Sequence, residues 1–318
     1  MPEAIVSFAQ NREDVVLWRA LGDVPAGRYV EVGANHPVVH SITKTFSDHG
    51  WSGLLVEPVP QFAQLLREHR PRDVIVEAAV TEVEGPIELF SIPDTGLSTL
   101  REDFGGRHAE QGWHVDRIEV AGRRLDSLVA EHGFADVEVH LLVVDVEGAE
   151  EGVLRSVDLR SWRPWVLVIE ATEPNRAAPT HETWEPIVLD AGYEFCLFDG
   201  VSRFYCAAEH ADRLRAALSV PASAIDAFAD ARILELQERA AATERVADER
   251  LAEVMRWRAA ALTTWAADVS GRPADRAALE AARSDAAWAH EEIANIQRTV
   301  SWRVTRPLRA VRRRTKRR

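Results

Sequence analysis

A glycine turn between an apolar run and a helical stretch carries the most informative chemical signal in this sequence. Residues 29–35 read Tyr-Val-Glu-Val-Gly-Ala-Asn, so an apolar strand holds Glu31, turns through Gly33 and reaches Asn35. Glycine lets a backbone approach a ligand closely, and Glu31 can receive the ammonium of an amino-acid-like ligand. A second apolar run ends at Glu57, where a carboxylate can take two ribose hydroxyls. Together these residues predict a nucleoside ligand at the carboxyl ends of parallel strands.

The same turn argues against several nucleotide classes. Dinucleotide sites usually provide G-x-G-x-x-G for a pyrophosphate, whereas Gly33 is followed by Ala-Asn-His-Pro-Val. The sequence also has no G-x-x-x-x-G-K-[ST] loop, which argues against a nucleoside triphosphatase. Taken singly, Gly33 is explained by an ordinary turn and Glu57 by a solvated strand end. Their order along the chain favours the ligand site.

Three carboxylates follow or end predicted strands further along the chain. Asp145 and Glu170 end two apolar runs, and Glu147 lies just beyond the first. Carboxylates grouped this way can hold a divalent cation such as Mg²⁺, with Asp145 and Glu170 as ligands, or one of them can act as a general base. His181, in the loop after Glu170, is a further candidate base. The alternative is that Asp145 caps the next helix and Glu147 complements its dipole.

Short apolar runs that alternate with helical segments must position these groups. The predicted strands are Arg28–Val32, Gly53–Glu57, Val74–Ala79, Ile87–Phe90, His140–Asp145, Trp165–Glu170, Glu194–Phe198 and Arg203–Cys206. The predicted helices between them are His40–His49, Pro60–His69, Ser127–His132, Gly148–Ser156 and Thr183–Ala191. This alternation predicts an α/β domain over residues 1–210 with a mostly parallel sheet. The Asp199-Gly200 turn predicts an antiparallel hairpin at its end.

Residues 211–300 have a different composition, dominated by Ala, Glu and Arg. We predict a helical extension that is interrupted at Gly271-Arg272-Pro273. Its apolar residues form an irregular stripe rather than sustained heptads. This pattern is typical of solvated helices that pack on the domain or on a second subunit. A coiled coil is the other interpretation, and either one allows an oligomer.

Four stretches resemble the signature segments of FkbM-type methyltransferases. They are Ser7–Val15, Tyr29–Asn35, Val144–Glu150 and Phe198–Tyr205, and the last resembles members associated with cell-surface glycan gene clusters. The resemblance covers about residues 5–208 and implies a Rossmann-like class I fold that uses S-adenosylmethionine (SAM). It also implies O-methylation of a sugar or polyketide-like acceptor, as in polysaccharide biosynthesis. In this family Asn35 stands where other class I loops have a second glycine. The resemblance implies a cofactor site formed by Glu31, Gly33, Asn35 and Glu57.

Polar residues before the first predicted strand form a candidate lid. Gln10 and Asn11 carry amides that can contact the cofactor or the acceptor. The alternative is an N-terminal helix cap at Asn11. Ser98 and Thr99 lie in a probable loop over Asp94–Arg107, which contains glycine and can line an acceptor pocket.

The distribution of charge separates a basic tail from an acidic body. Residues 301–318 contain nine Lys and Arg and no acid. The first 300 residues therefore have a net charge of −22, compared with −13 for the whole chain. A body this acidic is unsuited to tracking nucleic acid. The tail is either an anchor for anionic membranes or polyanions, or a solvated like-charge block.

The expected location and the competing functions follow from these features. Residues 1–20 contain no apolar segment typical of a secretory signal, and the two cysteines form no disulfide framework. We therefore expect a cytoplasmic protein, peripheral at the inner face of the membrane if the tail anchors it. The main hypothesis is a SAM-dependent O-methyltransferase. The alternatives are a nucleic-acid methyltransferase and a non-catalytic scaffold with a vestigial Rossmann domain.

Overall fold

The computed structural model describes residues 5–93, 95–110, 112–173, 176, 178–269, 276–299 and 302. The strands, numbered in chain order, are β1 Ile5–Ser7, β2 Arg28–Val32, β3 Ser52–Val56, β4 Val74–Val76, β5 Ala79–Val80, β6 Gly85–Ser91, β7 Asp116–Arg123, β8 Leu141–Val144, β9 Val166–Glu170, β10 Tyr193–Phe198, β11 Ser202–Ala207 and β12 Phe228–Asp230. The helices are α1 Glu13–Leu21, α2 Lys44–Asp48, α3 Pro60–His69, α4 Glu102–Glu110, α5 Leu125–Glu131, α6 Glu150–Arg155, α7 Glu185–Asp190, α8 Ala211–Leu218, α9 Ala231–Val269 and α10 Arg276–Arg298.

A seven-stranded sheet forms the centre of the first unit, in the order β10-β11-β9-β8-β2-β3-β4. The pairs from β9 to β4 are parallel, and β11 is antiparallel to both β9 and β10. Strand β8 is buried along its whole length because both faces of the sheet are covered. Leu142 and Val144 pack into the core on one face, and Leu141 and Val143 into the core on the other. The predicted α/β architecture with an antiparallel terminal hairpin is confirmed.

The parallel pairing brings the predicted site residues to one edge of the sheet. Strands β2, β3, β8 and β9 run in the same direction, with Val32 opposite both Val56 and Val144. Their carboxyl ends are therefore side by side. Gly33, Glu57 and Asp145 follow three of these strands directly, and Glu170 ends the fourth.

A second, three-stranded sheet covers part of this edge and was not predicted. Its order is β5-β7-β6, and β6 pairs with β7 in antiparallel register from Gly85–Gly122 to Ser91–Asp116. The run predicted as one strand, 74–79, ends in the main sheet at β4, and Ala79 instead begins β5. Strand β7 escaped prediction because it is mostly exposed and buries little apolar surface. The chain after β6 folds back so that Thr99 pairs with Phe90.

The first compact unit extends to Arg232, beyond the boundary at 210 that composition predicts. Helix α8 packs against α1 and β11, and its Leu214 and Leu218 are buried. Strand β12 pairs in parallel with β1, where Ile5 lies opposite Phe228. These contacts join residues 211–232 to the α/β domain although their composition resembles that of the helical extension.

The second unit begins at Ile233 and consists of most of α9 together with α10. An ion pair joins the two helices, with 3.8 Å between Arg250 and Glu292. Large apolar side chains along α9 are exposed, including Leu236, Val246 and Met255. Among the described residues, no helix has both the length and the apolar composition needed to cross a membrane. The basic tail lies outside the described residues except for Trp302.

A buried arginine, Arg70, is at the centre of a network of polar side chains. Arg70, which is 1% exposed, pairs with Asp73 at 2.8 Å and donates to the hydroxyls of Tyr29 and Thr43 at 2.9 and 2.8 Å. It also donates to the Pro37 carbonyl at 3.3 Å. A buried ion pair is stable only when its remaining hydrogen bonds are satisfied, and this network satisfies them.

The network predicts a large loss of stability when the cation is removed. Arg70→Met leaves the buried Asp73 carboxylate without its counter-charge, so we expect a loss of about 3–5 kcal/mol in the free energy of unfolding. Arg67→Met, in the last turn of α3 and three residues before Arg70, is the matched control. It breaks an exposed pair with Glu77 at 3.0 Å and should change stability by less than about 0.5–1 kcal/mol. Urea unfolding measures both, and equal stability of the two variants would contradict the role given to Arg70.

Candidate functional site

The turn at Gly33 is tied to both neighbouring strands. The N–H groups of Gly33 and Ala34 donate to the Val56 carbonyl at 2.9 and 3.2 Å, and the Asp145 N–H donates to the Val32 carbonyl at 3.0 Å. Gly33 has φ +84°, and a Cβ there would lie 1.7 Å from the carbonyl oxygen of Asp145. Only glycine fits this position. The turn and the Asp145 backbone are therefore in direct contact.

Asn35 and Glu57 form the next layer of the site. Asn35 adopts φ +48°, which asparagine tolerates, and its N–H donates to one oxygen of Glu57 at 2.8 Å. The other oxygen of Glu57 accepts from the Val59 N–H at 2.8 Å. Burial raises the pKa of Glu57 to about 7, and these two hydrogen bonds act in the opposite direction. The side-chain oxygen of Asn35 is buried and has no hydrogen-bond partner among the described residues.

A narrow cavity, which we call the inner cavity, opens beside this layer. Phe62, Ala78 and Val80 form an apolar wall, while Gly33 and Glu57 form a polar one. The segment 95–100, which follows β6, lies along the cavity and contributes Thr95, Gly96, Ser98 and Leu100 to its lining. A cavity with an apolar wall and a few polar groups is typical of a site for a small molecule or a cofactor.

A wider opening, the outer cleft, adjoins the inner cavity. Its lining comes from six parts of the chain, and four of them are represented by Gln10, His40, Arg176 and Gly200. The residues that line both spaces are Gly33, Asn35, Gly96, Asp145 and Glu147. The two spaces therefore meet at the glycine turn and the tip of β8. A ligand in one would face a ligand in the other across these five residues.

Three carboxylates gather at this junction. Side-chain oxygens of Asp145, Glu147 and Glu170 all lie within 4.8 Å of one another. One oxygen of Glu147 and one of Glu170 are buried without a hydrogen-bond partner in the described part of the chain. Asp145 touches solvent in the cleft, but protein atoms enclose it on its other sides. This arrangement can accept a proton or surround a cation.

The electrostatics of the cluster follow from burial and like charge. Burial raises the pKa of Asp145, and a hydrogen bond with Glu170 acts in the opposite direction. Burial and the neighbouring charge of Asp145 raise the pKa values of Glu147 and Glu170 well above the ordinary range. Carboxylates this close cannot all be ionised unless a cation lies between them. Without a cation, at least one of them holds a proton.

The backbone around Glu147 is strained. Glu147 adopts φ +53° and Gly148 follows at +96°. The Thr99 hydroxyl donates to the Glu147 carbonyl at 2.8 Å, and the Phe104 ring packs against Gly148. A left-handed non-glycine residue costs about 1–2 kcal/mol and is often found at functional sites.

The capping alternative for these acids is not what the structure shows. Helix α6 has Ala149 at its N-cap position, without a capping side chain. Glu150 instead accepts the Gly148 N–H at 2.9 Å. Asp145 and Glu147 therefore remain available to the cleft.

Three predicted site residues lie away from both spaces. Glu31 is 4% exposed and accepts the Thr43 hydroxyl at 2.6 Å, in the network beneath the turn, which differs from the predicted contact with a cofactor ammonium. Its pKa rises to about 7 because it is buried. The side-chain amide of Asn11 donates to the Asp199 carbonyl at 3.1 Å and so fixes the β10–β11 turn. His181 does not line the outer cleft and lies 3.9 Å from Glu185.

Other parts of the lining were missed or only partly predicted. In the apolar wall, Ala78 belongs to the predicted strand Val74–Ala79 and Val80 lies just beyond it, and the sequence of both carries no chemical signal. Arg176 is an exposed arginine in the loop after β9 and lies 3.8 Å from the Glu173 carboxylate. Glu13 lines the outer cleft, and burial raises its pKa to about 8, with the charge of Asp199 acting in the same direction.

Solved methyltransferases align with this chain at low similarity. A TehB-like SAM-dependent methyltransferase from Corynebacterium glutamicum is 9% identical over 61% of this chain and 87% of its own, with a TM-score of 0.34. Precorrin-6y C5,15-methyltransferase from Geobacter metallireducens is 13% identical over 64% and 93%, with a TM-score of 0.35. Aeropyrum pernix fibrillarin bound to SAM is 14% identical over 60% and 72%, with a TM-score of 0.31. No curated protein matches the chain significantly.

A family model identifies the chain more directly. The model described as the methyltransferase FkbM domain matches residues 31–195, from the end of β2 to β10. The match includes Gly33, Glu57 and the three clustered carboxylates. Because it covers more than half of the 318 residues, the chain belongs to the FkbM methyltransferase family.

Proposed function

We propose that this chain is a SAM-dependent O-methyltransferase that acts on a hydroxyl of a sugar, a cell-surface glycan or a related secondary metabolite. The observation that carries the proposal is the junction of the inner cavity and the outer cleft at Gly33, Asn35 and Asp145. When bound, SAM supplies a methyl group on a sulfonium. A methyl donor in one space and an acceptor hydroxyl in the other would meet at the tip of β8, as in-line transfer requires.

The inner cavity has groups that fit the parts of SAM. Glu57 retains lone pairs beyond its two backbone hydrogen bonds, and these can accept ribose hydroxyls. The unpartnered oxygen of Asn35 can accept a further donor. The wall at Phe62 and Ala78 suits a purine ring because it is apolar. This fit of polar and apolar groups supports SAM as the cofactor.

The carboxylate cluster supplies the means to take the acceptor proton. Asp145 lies where both spaces meet and is accessible from the cleft. It can receive the proton directly, as a general base. Alternatively, Asp145 and Glu170 with Glu147 would hold Mg²⁺ or another divalent cation, which lowers the pKa of a bound hydroxyl. The two unpartnered carboxylate oxygens support the second mode, and chelation distinguishes the modes.

Glu57 provides the test of the cofactor site. Glu57→Ala removes a charge-assisted acceptor, so SAM binding should weaken by about 1–3 kcal/mol, which is roughly 5- to 150-fold in Kd. Calorimetric titration with SAM measures the affinity. The control is Glu68→Ala, an exposed acid on α3 that should leave the affinity unchanged. Unchanged affinity in a folded Glu57→Ala protein would remove Glu57 from the site, and no binding by the wild type would favour the vestigial scaffold.

Asp145 provides the test of the chemistry. Asp145→Asn keeps the side-chain volume but cannot take a proton, so methyl transfer should fall by roughly 10²–10⁴-fold while SAM affinity is preserved. The assay follows labelled methyl groups from SAM into the glycan fraction of cells that lack the gene. Asp136→Asn, in the exposed loop before β8, is the control.

Chelation then separates the two modes of Asp145. Loss of wild-type transfer in EDTA, restored by Mg²⁺ or Mn²⁺, would indicate a metal site, whereas insensitivity to EDTA would indicate a direct base. Near-wild-type transfer by Asp145→Asn under both conditions would move the base to Glu170, which also lines the outer cleft. Transfer to RNA or DNA instead of the glycan fraction would favour the nucleic-acid alternative.

The basic tail is the segment from which we infer where the protein is located. We propose that residues 301–318 hold the enzyme at an anionic membrane surface, since each cation near such a surface contributes about 1 kcal/mol. Truncation after Thr299 should abolish sedimentation with phosphatidylglycerol vesicles and leave SAM affinity intact. The full-length chain should not sediment with phosphatidylcholine vesicles. High salt should release it from phosphatidylglycerol vesicles. Equal sedimentation of the two proteins would show that the tail is a solvated segment.

A further inference from the structure

The two cysteines of the chain lie against each other in the terminal hairpin. Cys196 is on β10 and Cys206 is on β11, and their sulfur atoms are 3.5 Å apart. The pairing register shifts between Phe195 and Leu197, so Cys196 is the extra residue of a bulge. The bulge places its thiol beside Cys206, whose direct partner across the strands is Glu194.

The geometry is close to that of a disulfide. The two cysteines are diagonal neighbours rather than direct cross-strand partners, and their sulfur atoms are in contact at 3.5 Å. The sulfur atoms must approach by about 1.5 Å to reach a bond of about 2.05 Å. Rotation of the Cys196 side chain, which is only partly buried on the edge strand β10, can supply such a movement.

The two thiols differ in access. Cys206 is fully buried, whereas Cys196 is half-buried. An oxidant in solution therefore reaches Cys196 first, and Cys206 is positioned to resolve the product. Two thiols of unequal access at contact distance are typical of a pair that forms an intramolecular bond instead of keeping an adduct.

We propose that Cys196 and Cys206 are a redox couple that a small-molecule disulfide converts to an intramolecular disulfide. The Cys196 thiolate attacks the small disulfide and releases one thiol, leaving a mixed disulfide at Cys196. Cys206 then attacks that sulfur and releases the second thiol. Two protein thiols are oxidised, one external disulfide is reduced, and the two protons end on the two thiols released.

The position of the bond gives it a consequence for the outer cleft. The hairpin turn carries Gly200 and Val201, which line that cleft, and the Asp199 carbonyl holds Asn11. A covalent bond from Cys196 to Cys206 closes the hairpin immediately behind this turn and limits its movement. The formation of the bond does not depend on the proposed methyl transfer, and only this effect on the cleft rests on it.

The test exposes the folded protein to oxidised glutathione, quenches with iodoacetamide and maps the peptides by mass spectrometry. We expect a loss of two hydrogens and a Cys196–Cys206 cross-linked peptide. The oxidised form should unfold at a higher urea concentration than the reduced form, and dithiothreitol should reverse the shift. Cys196→Ser should show neither the cross-link nor the shift, and its Cys206 should react with iodoacetamide only after unfolding.

Two outcomes would overturn the proposal. One is a glutathione adduct that persists on Cys196 while Cys206 stays a thiol. The other is recovery of both thiols after prolonged oxidation of the folded chain, under conditions in which the urea-unfolded chain forms the bond. Loss of SAM binding in Glu57→Ala would not affect either result, so failure here and failure of the proposed function are distinguishable.

Discussion

The site depends on how closely the turn after β2 approaches the tip of β8. Gly33 has no side chain, and the Asp145 carbonyl occupies the space that a Cβ would need. This contact holds the turn and the acidic strand end together, so that the inner cavity and the outer cleft share one wall. Strand pairing fixes the register behind it, with Val32 opposite Val144. A larger residue at position 33 would have to separate the two strands or distort the turn.

The surrounding acids show how the fold supports a site that is unfavourable in itself. Burial raises the pKa of Glu57, and two backbone N–H groups orient its carboxylate. The carboxylates of Asp145, Glu147 and Glu170 repel one another in a confined space. Glu147 also has a strained backbone. The site therefore contains buried polar atoms without partners and a strained backbone, whereas the cores on both faces of the sheet are formed by packed apolar side chains.

The sequence predicts the central sheet and the acidic strand ends because both depend on local patterns. Buried parallel strands are continuous apolar runs, and their ends are marked by a glycine or an acid. The direction of a side chain is a different matter. The Glu31 carboxylate lies outside the inner cavity and accepts a hydrogen bond from the Thr43 hydroxyl. Thr43 in turn belongs to a network built around Arg70. No feature near residue 31 reveals that contact.

The parts that were not predicted depend on weak or distant signals. Strand β7 buries little apolar surface and finds its place only by pairing with β6. The β1–β12 pair joins residues more than 200 positions apart and includes no more than three residues from each strand. Composition assigns residues 211–232 to the helical extension for the same reason, since the contacts that place them in the α/β domain are tertiary.

The wall shared by the two spaces has a consequence for how such an enzyme diversifies. Residues of that wall border both spaces, so a change in the shape of Asn35 alters the inner cavity and the outer cleft together. The rest of the outer cleft comes from separate segments, represented by Gln10, His40 and Arg176, which do not line the inner cavity. Substitutions there can accumulate independently of cofactor binding. The fold thus separates the residues that border both spaces from residues that border the outer cleft alone, where selectivity for the acceptor can change without altering the inner cavity.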